Sequence, residues 1–228
     1  MIHARLKRSA FRPLKITAAL QCGVLGDIAL PFDALLYYAV HREQYGRQYL
    51  TIPGEATNGA PTAADTSLPL ARVEEHGPQW YYAASWADWG ERYADGGDHW
   101  SKRLALGRLK YLDQARGSVD VASGRYKSYR MPVFYRHALS ISWHCLGEPE
   151  RIRRLLAHMA HIGKKTSQGW GAVNEWRVEE CQADYSVRRA DGTPARAIPA
   201  KGGTLIGYRP SYWLSGNQAP CQVPNGGE

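Results

Sequence analysis

Cysteine is scarce in this chain and never paired in sequence. Cys22, Cys145, Cys181 and Cys221 form no C-x-x-C spacing, so neither a zinc ligand set nor the disulfide framework of a small secreted domain is indicated. A reduced cytoplasm is the setting this usage suggests. No apolar run approaches the ~20 residues that cross a bilayer, and the basic opening from Met1 to Arg12 is not followed by the apolar core of a signal peptide. No membrane partner is expected. The G-x-x-x-x-G-K-[ST] and G-x-G-x-x-G loops are missing, which removes the commonest nucleotide-binding devices, and no cofactor is expected. The carboxylates Glu74, Glu75 and those from Asp88 to Asp98 lack metal-ligand spacing. No metal is expected there, and a solvated face or a contact with a basic partner suits them better.

What the chain has is positive charge, unevenly placed. Its 228 residues carry a net charge of +8. From Ser101 to Arg136 the bases Lys102, Arg103, Arg108, Lys110, Arg116, Arg125, Lys127, Arg130 and Arg136 face only Asp113 and Asp120, whereas from Glu55 to Asp98 only Arg72 and Arg92 are basic. A map so polarised is the footprint of a polyanion binder with a separate neutral or acidic face. A solvated basic surface is the plainer alternative.

The most informative stretch is Ile162-Gly163-Lys164-Lys165-Thr166-Ser167-Gln168-Gly169-Trp170-Gly171. Glycines keep side chains out of the way of a polyanion, lysines supply charge, and hydroxyls and backbone N–H groups can point at phosphate oxygens. It reads as a phosphate cradle, with a helix-capping Gly163 and a tight turn as the bland alternative. Trp170 is expected to pack, although it could stack on a base.

Periodicity places this run. Leu14, Ile16, Ala18 and Leu20 alternate with polar or small neighbours as in a half-buried strand, and Pro31 and Asp33 open a helix running to about Tyr45. From Tyr49 to Gln79 the composition reads as a long loop or lid. Trp80, Tyr82, Ala84 and Trp86 suggest a second strand, and Leu139, Ile141, Trp143 and Cys145 a third. Pro149 then begins a helix with Ile152, Leu155, Leu156 and Met159 on one face, expected to end at Gly163, and Trp176 and Val178 mark a fourth strand. Trp143 and Trp176 fall on the expected buried faces. Between the middle strands, Trp100 to Tyr135 reads as a basic insertion, with a helical stripe only from Trp100 to Leu112 and turns at Gly117-Ser118 and Ser123-Gly124. Within it, Arg125-Tyr126-Lys127-Ser128-Tyr129-Arg130 interleaves cations with rings, as a reader of single-stranded RNA requires. If extended, it would set Tyr126, Ser128 and Arg130 opposite Arg125, Lys127 and Tyr129.

The order β-α-β, insertion, β-α-β is that of an α+β, ferredoxin-like (RRM-like) fold with an antiparallel sheet and both helices on one face. One domain over 1–228 is expected, with a thumb-like insertion at 100–136 and a C-terminal extension at 179–228. No RNP-type aromatic motif occurs, so an ordinary RRM surface is disfavoured.

These pieces resemble the RAMP superfamily of CRISPR-associated RNA-binding proteins. The segments Leu14-Lys15-Ile16-Thr17-Ala18, Phe32-Asp33-Ala34-Leu35-Leu36-Tyr37-Tyr38, Gly124-Arg125-Tyr126-Lys127-Ser128-Tyr129, the loop Gly163 to Gly171 and Arg209-Pro210-Ser211-Tyr212-Trp213 are most similar to the 5′-handle-capping subunit of type IV effector complexes. The resemblance implies a non-catalytic subunit that holds the repeat-derived 5′ handle of the crRNA beside backbone RAMP subunits and a large subunit, meeting target DNA only through the complex. It implies RNA contacts from Gly163, Lys164, Lys165, Thr166, Ser167, Gln168, Gly169, Trp170 and Gly171. Arg103, Arg108, Lys110, Arg125, Tyr126, Lys127 and Arg130 follow as thumb or groove contacts.

Some RAMP relatives cut RNA without metal, using a histidine or tyrosine to promote attack by a 2′-hydroxyl. His41, His137, His144, His158 and His161 are the candidate bases here, and processing of precursor crRNA is the alternative function. A small-molecule enzyme with the 49–79 region as a lid is a third reading, weakened by the missing cofactor motifs.

Overall fold

A computed structural model describes residues 11–46, 66–74, 79–103, 107 and 120–224. The expected 49–79 loop lies mostly outside the described residues, as do Arg108, Lys110, Arg116 and the Gly117-Ser118 turn.

Strand β1 (Arg12–Leu20) alternates as its sequence predicts, with Leu14, Ile16 and Ala18 buried. It pairs antiparallel with β7 (Ser140–Gly147) on one side and β8 (Val173–Glu180) on the other. Helix α2 (Pro149–Leu156) carries the chain from β7 over β1 to β8. Helix α1 (Phe32–Tyr45) packs beside it on the same face, burying Phe32, Leu35 and Leu36 against Trp143. The other flank of β7 is bonded by an irregular segment: Ser85 N–H donates to His144 O, Leu146 N–H to Ala83 O, and Asp88 and Ser142 exchange bonds in both directions. This β-α-β-β-α-β arrangement is a ferredoxin-like α+β fold in which residues 83–88 occupy the second strand position.

Several local expectations change. Only β3 (Arg72–Val73) and β4 (Tyr81–Tyr82) form a regular pair near the expected second strand, and Trp86 turns into a different apolar cluster from Tyr82 and Ala84. Helix α2 stops at Leu156, not Gly163, because the chain must turn back for Ile162 N–H to reach Gly171 O; Met159 and Ile162 are buried from this turn. Leu139 was expected inside but is 75% exposed, since it sits at the bend joining β7 to the preceding strand. Trp176 is only half-buried, with its indole N–H bonded to Met159 O at 2.8 Å.

Two further units flank the main sheet. Strands β5 (Tyr93–Lys102) and β6 (Tyr129–Ala138) form a long antiparallel hairpin, tied to the body by β2 (Val24–Leu25), which pairs with β6 at Arg136 and Tyr135. The helical stripe expected from Trp100 therefore fails over Trp100–Lys102, which is strand. The pattern Asp95-Gly96-Gly97-Asp98 hides this strand, because paired glycines ordinarily mark a turn. Gly96 is where the ring of Tyr135 crosses the sheet, so that an added Cβ would strike it. The C-terminal extension is no loose tail: β9 (Ile198–Gly207) pairs with β10 (Gln218–Gln222), and Tyr81, Trp86, Ala197, Ile198, Tyr208, Ala219 and Cys221 form a second buried cluster.

An ion pair joins the two cores. Arg196 and Asp33 are both fully buried with Arg196 Nη1 3.3 Å from Asp33 Oδ2, and Tyr212 donates to Asp33 Oδ1 at 2.6 Å. Arg196 also donates to the carbonyls of Tyr82, Ala84 and Tyr208. Burial pushes the Asp33 carboxyl above its usual value, against the pull of the guanidinium, and drives the Tyr212 phenol well upward. A buried guanidinium has five donors to satisfy, and this one spends them closing the seam between α1, β4 and β9.

Candidate RNA-binding site

The glycine run is a loop between α2 and β8, and it is clamped from behind by the strip Gln21–Gly26 that leads from β1 into β2. Lys164 N–H donates to Leu25 O at 2.7 Å and Gly171 N–H to Gly23 O at 2.9 Å. Cys22 donates its thiol to Gly169 O at 3.1 Å and accepts the Ala172 N–H at 3.3 Å. Gly171, at φ +66°, has no room for a side chain, since a Cβ would overlap the Ile162 carbonyl. Gly163, at φ +80°, would set one 2.7 Å from Leu25 O. These two glycines serve close backbone packing and do not open space for a ligand; Gly169 is the one facing open space.

The other side of the loop faces out. Residues Thr166–Gln168 form one 3-10 turn, preceded by Lys165 in the left-handed region at φ 53°, a conformation that non-glycine residues seldom hold and that marks a constrained site. Among the described residues, the N–H groups of Gly163, Lys165, Thr166, Ser167 and Trp170 have no hydrogen-bond partner. Lys164, Ser167, Gln168 and Gly169 are exposed, while Lys165, Thr166 and Trp170 are half-buried. The stem of Lys164 lies across Gly26. Lys165 Nζ sits 3.4 Å from the ring centre of Trp100 on the hairpin, within the range of a cation–π contact. Trp170 packs, as expected, with its ring 4.9 Å from that of Tyr135.

The loop and the hairpin, read separately in the sequence, therefore meet. From Lys165 a ladder of two rings flanked by cations runs along the hairpin: Trp100 to Tyr129 at 5.0 Å in an edge contact, and Lys102 Nζ 5.8 Å from the Tyr129 ring centre. Sequence reasoning left Trp100, Tyr135 and the clamp Cys22-Gly23 out of the site, and placed Tyr129 in the cation-and-ring run without naming it as a contact. Cross-strand register would have found the rings, because Trp100 and Tyr135 share a face of the β5/β6 pair with Tyr129.

The thumb residues are distributed. Arg103 follows the end of β5 and is exposed; Lys127 is exposed. Gly124–Tyr126 form a 3-10 turn, not an extended strand, so the expected alternation through Arg125, Tyr126 and Lys127 does not hold there. Arg130 is exposed on the hairpin face opposite Trp100, since it pairs with Ser101. Among the described residues the candidate histidines do not converge on the loop. His41 is buried against Thr66 Oγ1 at 3.0 Å, His144 packs on Tyr185, His137 lies on the hairpin, and His158 is exposed in a cleft with Arg42 and Glu43 between the helices; of the five candidates His161, exposed two residues before Gly163, is the one beside the loop. Among the described residues no group of three or more His, Cys, Asp or Glu gathers to hold a metal, and no helix is long and apolar enough to cross a membrane.

Fold and site together define a ferredoxin-like protein in which a lysine-bearing glycine loop meets a projecting hairpin. Residues 91–224, which include the hairpin, the loop and the C-terminal sheet, match the family model of CRISPR type IV associated protein Csf3. The chain belongs to this family, and is a type IV CRISPR-associated subunit. No curated protein matches it.

Proposed function

We propose that this subunit binds RNA without cutting it, holding the 5′ repeat-derived handle of the crRNA between the 163–171 loop and the β5/β6 hairpin, and capping a filament of backbone subunits. The observation that carries this reading is the Lys165–Trp100 contact. It brings unpartnered N–H groups and two lysines to the start of a ring-and-cation ladder, which together match the two needs of single-stranded RNA: phosphate neutralisation and base stacking. Arg103 and Lys127 extend positive charge toward the hairpin end.

Replacing Lys164 and Lys165 by alanine should weaken binding of single-stranded repeat RNA and lower the slope of log K against log salt by up to ~2. Unchanged affinity and slope would remove the loop from the site. Incubation of the protein with the same RNA in EDTA tests the absence of cleavage: a product ending in a 2′,3′-cyclic phosphate would replace this reading with that of a processing endonuclease.

A further inference from the structure

Next to Gly26, mainly on the face of the β5/β6 pair opposite Trp100, lies a cleft of ≈ 500 Å³ that shares Tyr135 with the site described above. Gly26, Ile28, Asp95, Gly97, Phe134 and Arg136 line it. Phe134 is 72% exposed, and its ring crosses to Gly97, its cross-strand partner, where an added Cβ would come within 3.7 Å of it. One ring face is thus supported while the side chain remains largely in solvent. Asp95 receives a bidentate bond from Arg136, 2.6 Å at each oxygen, and this bond holds its carboxyl below the ordinary value. The carboxylate stays ionised and oriented, yet 57% of the Asp95 side chain is accessible. Each oxygen keeps a further lone pair for an N–H donor. Gly26 connects the two features, because the stem of Lys164 rests on it.

We propose that this cleft takes one unstacked nucleobase of the RNA, with Phe134 as its stacking platform and Asp95 as the reader of an N–H donor edge. The inference rests on the RNA-binding reading above and adds a specificity determinant to it. Guanine fits best, since its N1–H and exocyclic amino group present adjacent donors to one carboxylate. Uracil fits worst, because carbonyl oxygens flank its single N–H and would face the same charge.

Fluorescence anisotropy with labelled eight-nucleotide oligo(U), and with the same oligomer carrying one central G, tests it. The G-containing RNA should bind several-fold tighter than oligo(U). Phe134→Ala should weaken binding about five- to tenfold, toward the low end of base–aromatic stacking, without changing the salt slope. Asp95→Asn, which preserves the shape of the Arg136 contact, should abolish the preference for G. Phe134 and Asp95 are largely exposed, so both variants keep the fold, which circular dichroism verifies. If Phe134→Ala binds both RNAs like the parent while Lys164→Ala/Lys165→Ala is impaired, the cleft is refuted and the loop stands; if the parent binds neither RNA, the underlying reading fails.

Discussion

Replacing Arg196 by methionine probes the seam between the two cores. The substitution keeps much of the side-chain volume but removes the one cation that contacts Asp33 among the described residues, and it strips donors from the carbonyls of Tyr82, Ala84 and Tyr208. Leaving one member of a buried ion pair alone costs about 3–5 kcal/mol, a large share of the 5–15 kcal/mol that stabilises a typical domain. The loss should depend on pH. The Asp33 carboxyl already sits above its ordinary 3.8 through burial, and losing the guanidinium raises it further. A carboxyl raised in the folded state contributes stability that is present below its unfolded value and lost as pH rises through its folded value. The gap between variant and parent should therefore be widest near neutrality and narrow as the pH falls toward the ordinary carboxylate range. Urea unfolding followed by tryptophan fluorescence at several pH values measures this. The double variant Asp33→Asn/Arg196→Met should be more stable at neutral pH than Arg196→Met alone, because no buried charge is then orphaned. A pH-independent cost, or one below ~1 kcal/mol, would refute the reasoning.

Other consequences are shorter to state. Gly171→Ala should lower the thermal midpoint well beyond Gly169→Ala: both positions hold positive φ, worth ~1–2 kcal/mol to an L-residue, but only at Gly171 does the new methyl overlap backbone. Burial lowers both His41 and His144, with Lys15 adding to the effect at His144 while Asp88 and Asp184 oppose it. A histidine depressed in the folded state contributes stability above its unfolded value near 6.5 that is lost as pH falls. Stability should thus decline on acidification below ~6.5, by at most ~1.4 kcal/mol per pH unit per histidine, and His144→Gln should flatten the dependence in urea melts.

The parts of the fold legible in the sequence are those whose apolar pattern is decided by one buried face. Strand β1, helix α1 and strand β7 bury alternate or 3.6-spaced residues against a single core, so Leu14, Ile16, Leu36, Ile141 and Trp143 announce themselves. The hairpin has no such face: along β5 only Gly96 and Trp100 are even half-buried, and its glycine pair imitates a turn. The C-terminal core is assembled from residues far apart, such as Tyr81, Ala197 and Cys221, and has no period to detect. Arg196 could not be told from a surface arginine, because what makes it exceptional is the carboxylate 163 positions away. Tyr212 is bonded to the same carboxylate from 179 positions away, a contact equally without a local signature.

The candidate site was half legible for a related reason. Composition marked the 163–171 loop as a candidate cradle, but not the sorting of backbone N–H groups that such a cradle needs. A loop that binds an anion through its backbone must have some N–H groups satisfied and others aimed outward, and the sorting is done here by a strip with no obvious signature. Leu25 O and Gly23 O take the N–H groups of Lys164 and Gly171, and the Cys22 thiol bridges Gly169 and Ala172. With both ends fixed, the intervening residues have few ways to close the gap, and Lys165 adopts a left-handed conformation that its own preferences oppose. The same strip continues into β2, which pairs with β6 at Tyr135, whose ring meets Trp170 of the loop. Two residues of strand thus hold the hairpin and the loop in register. The geometry of the proposed grip is set by Gln21–Gly26 as much as by the lysines, and a change in that strip should move loop and hairpin together.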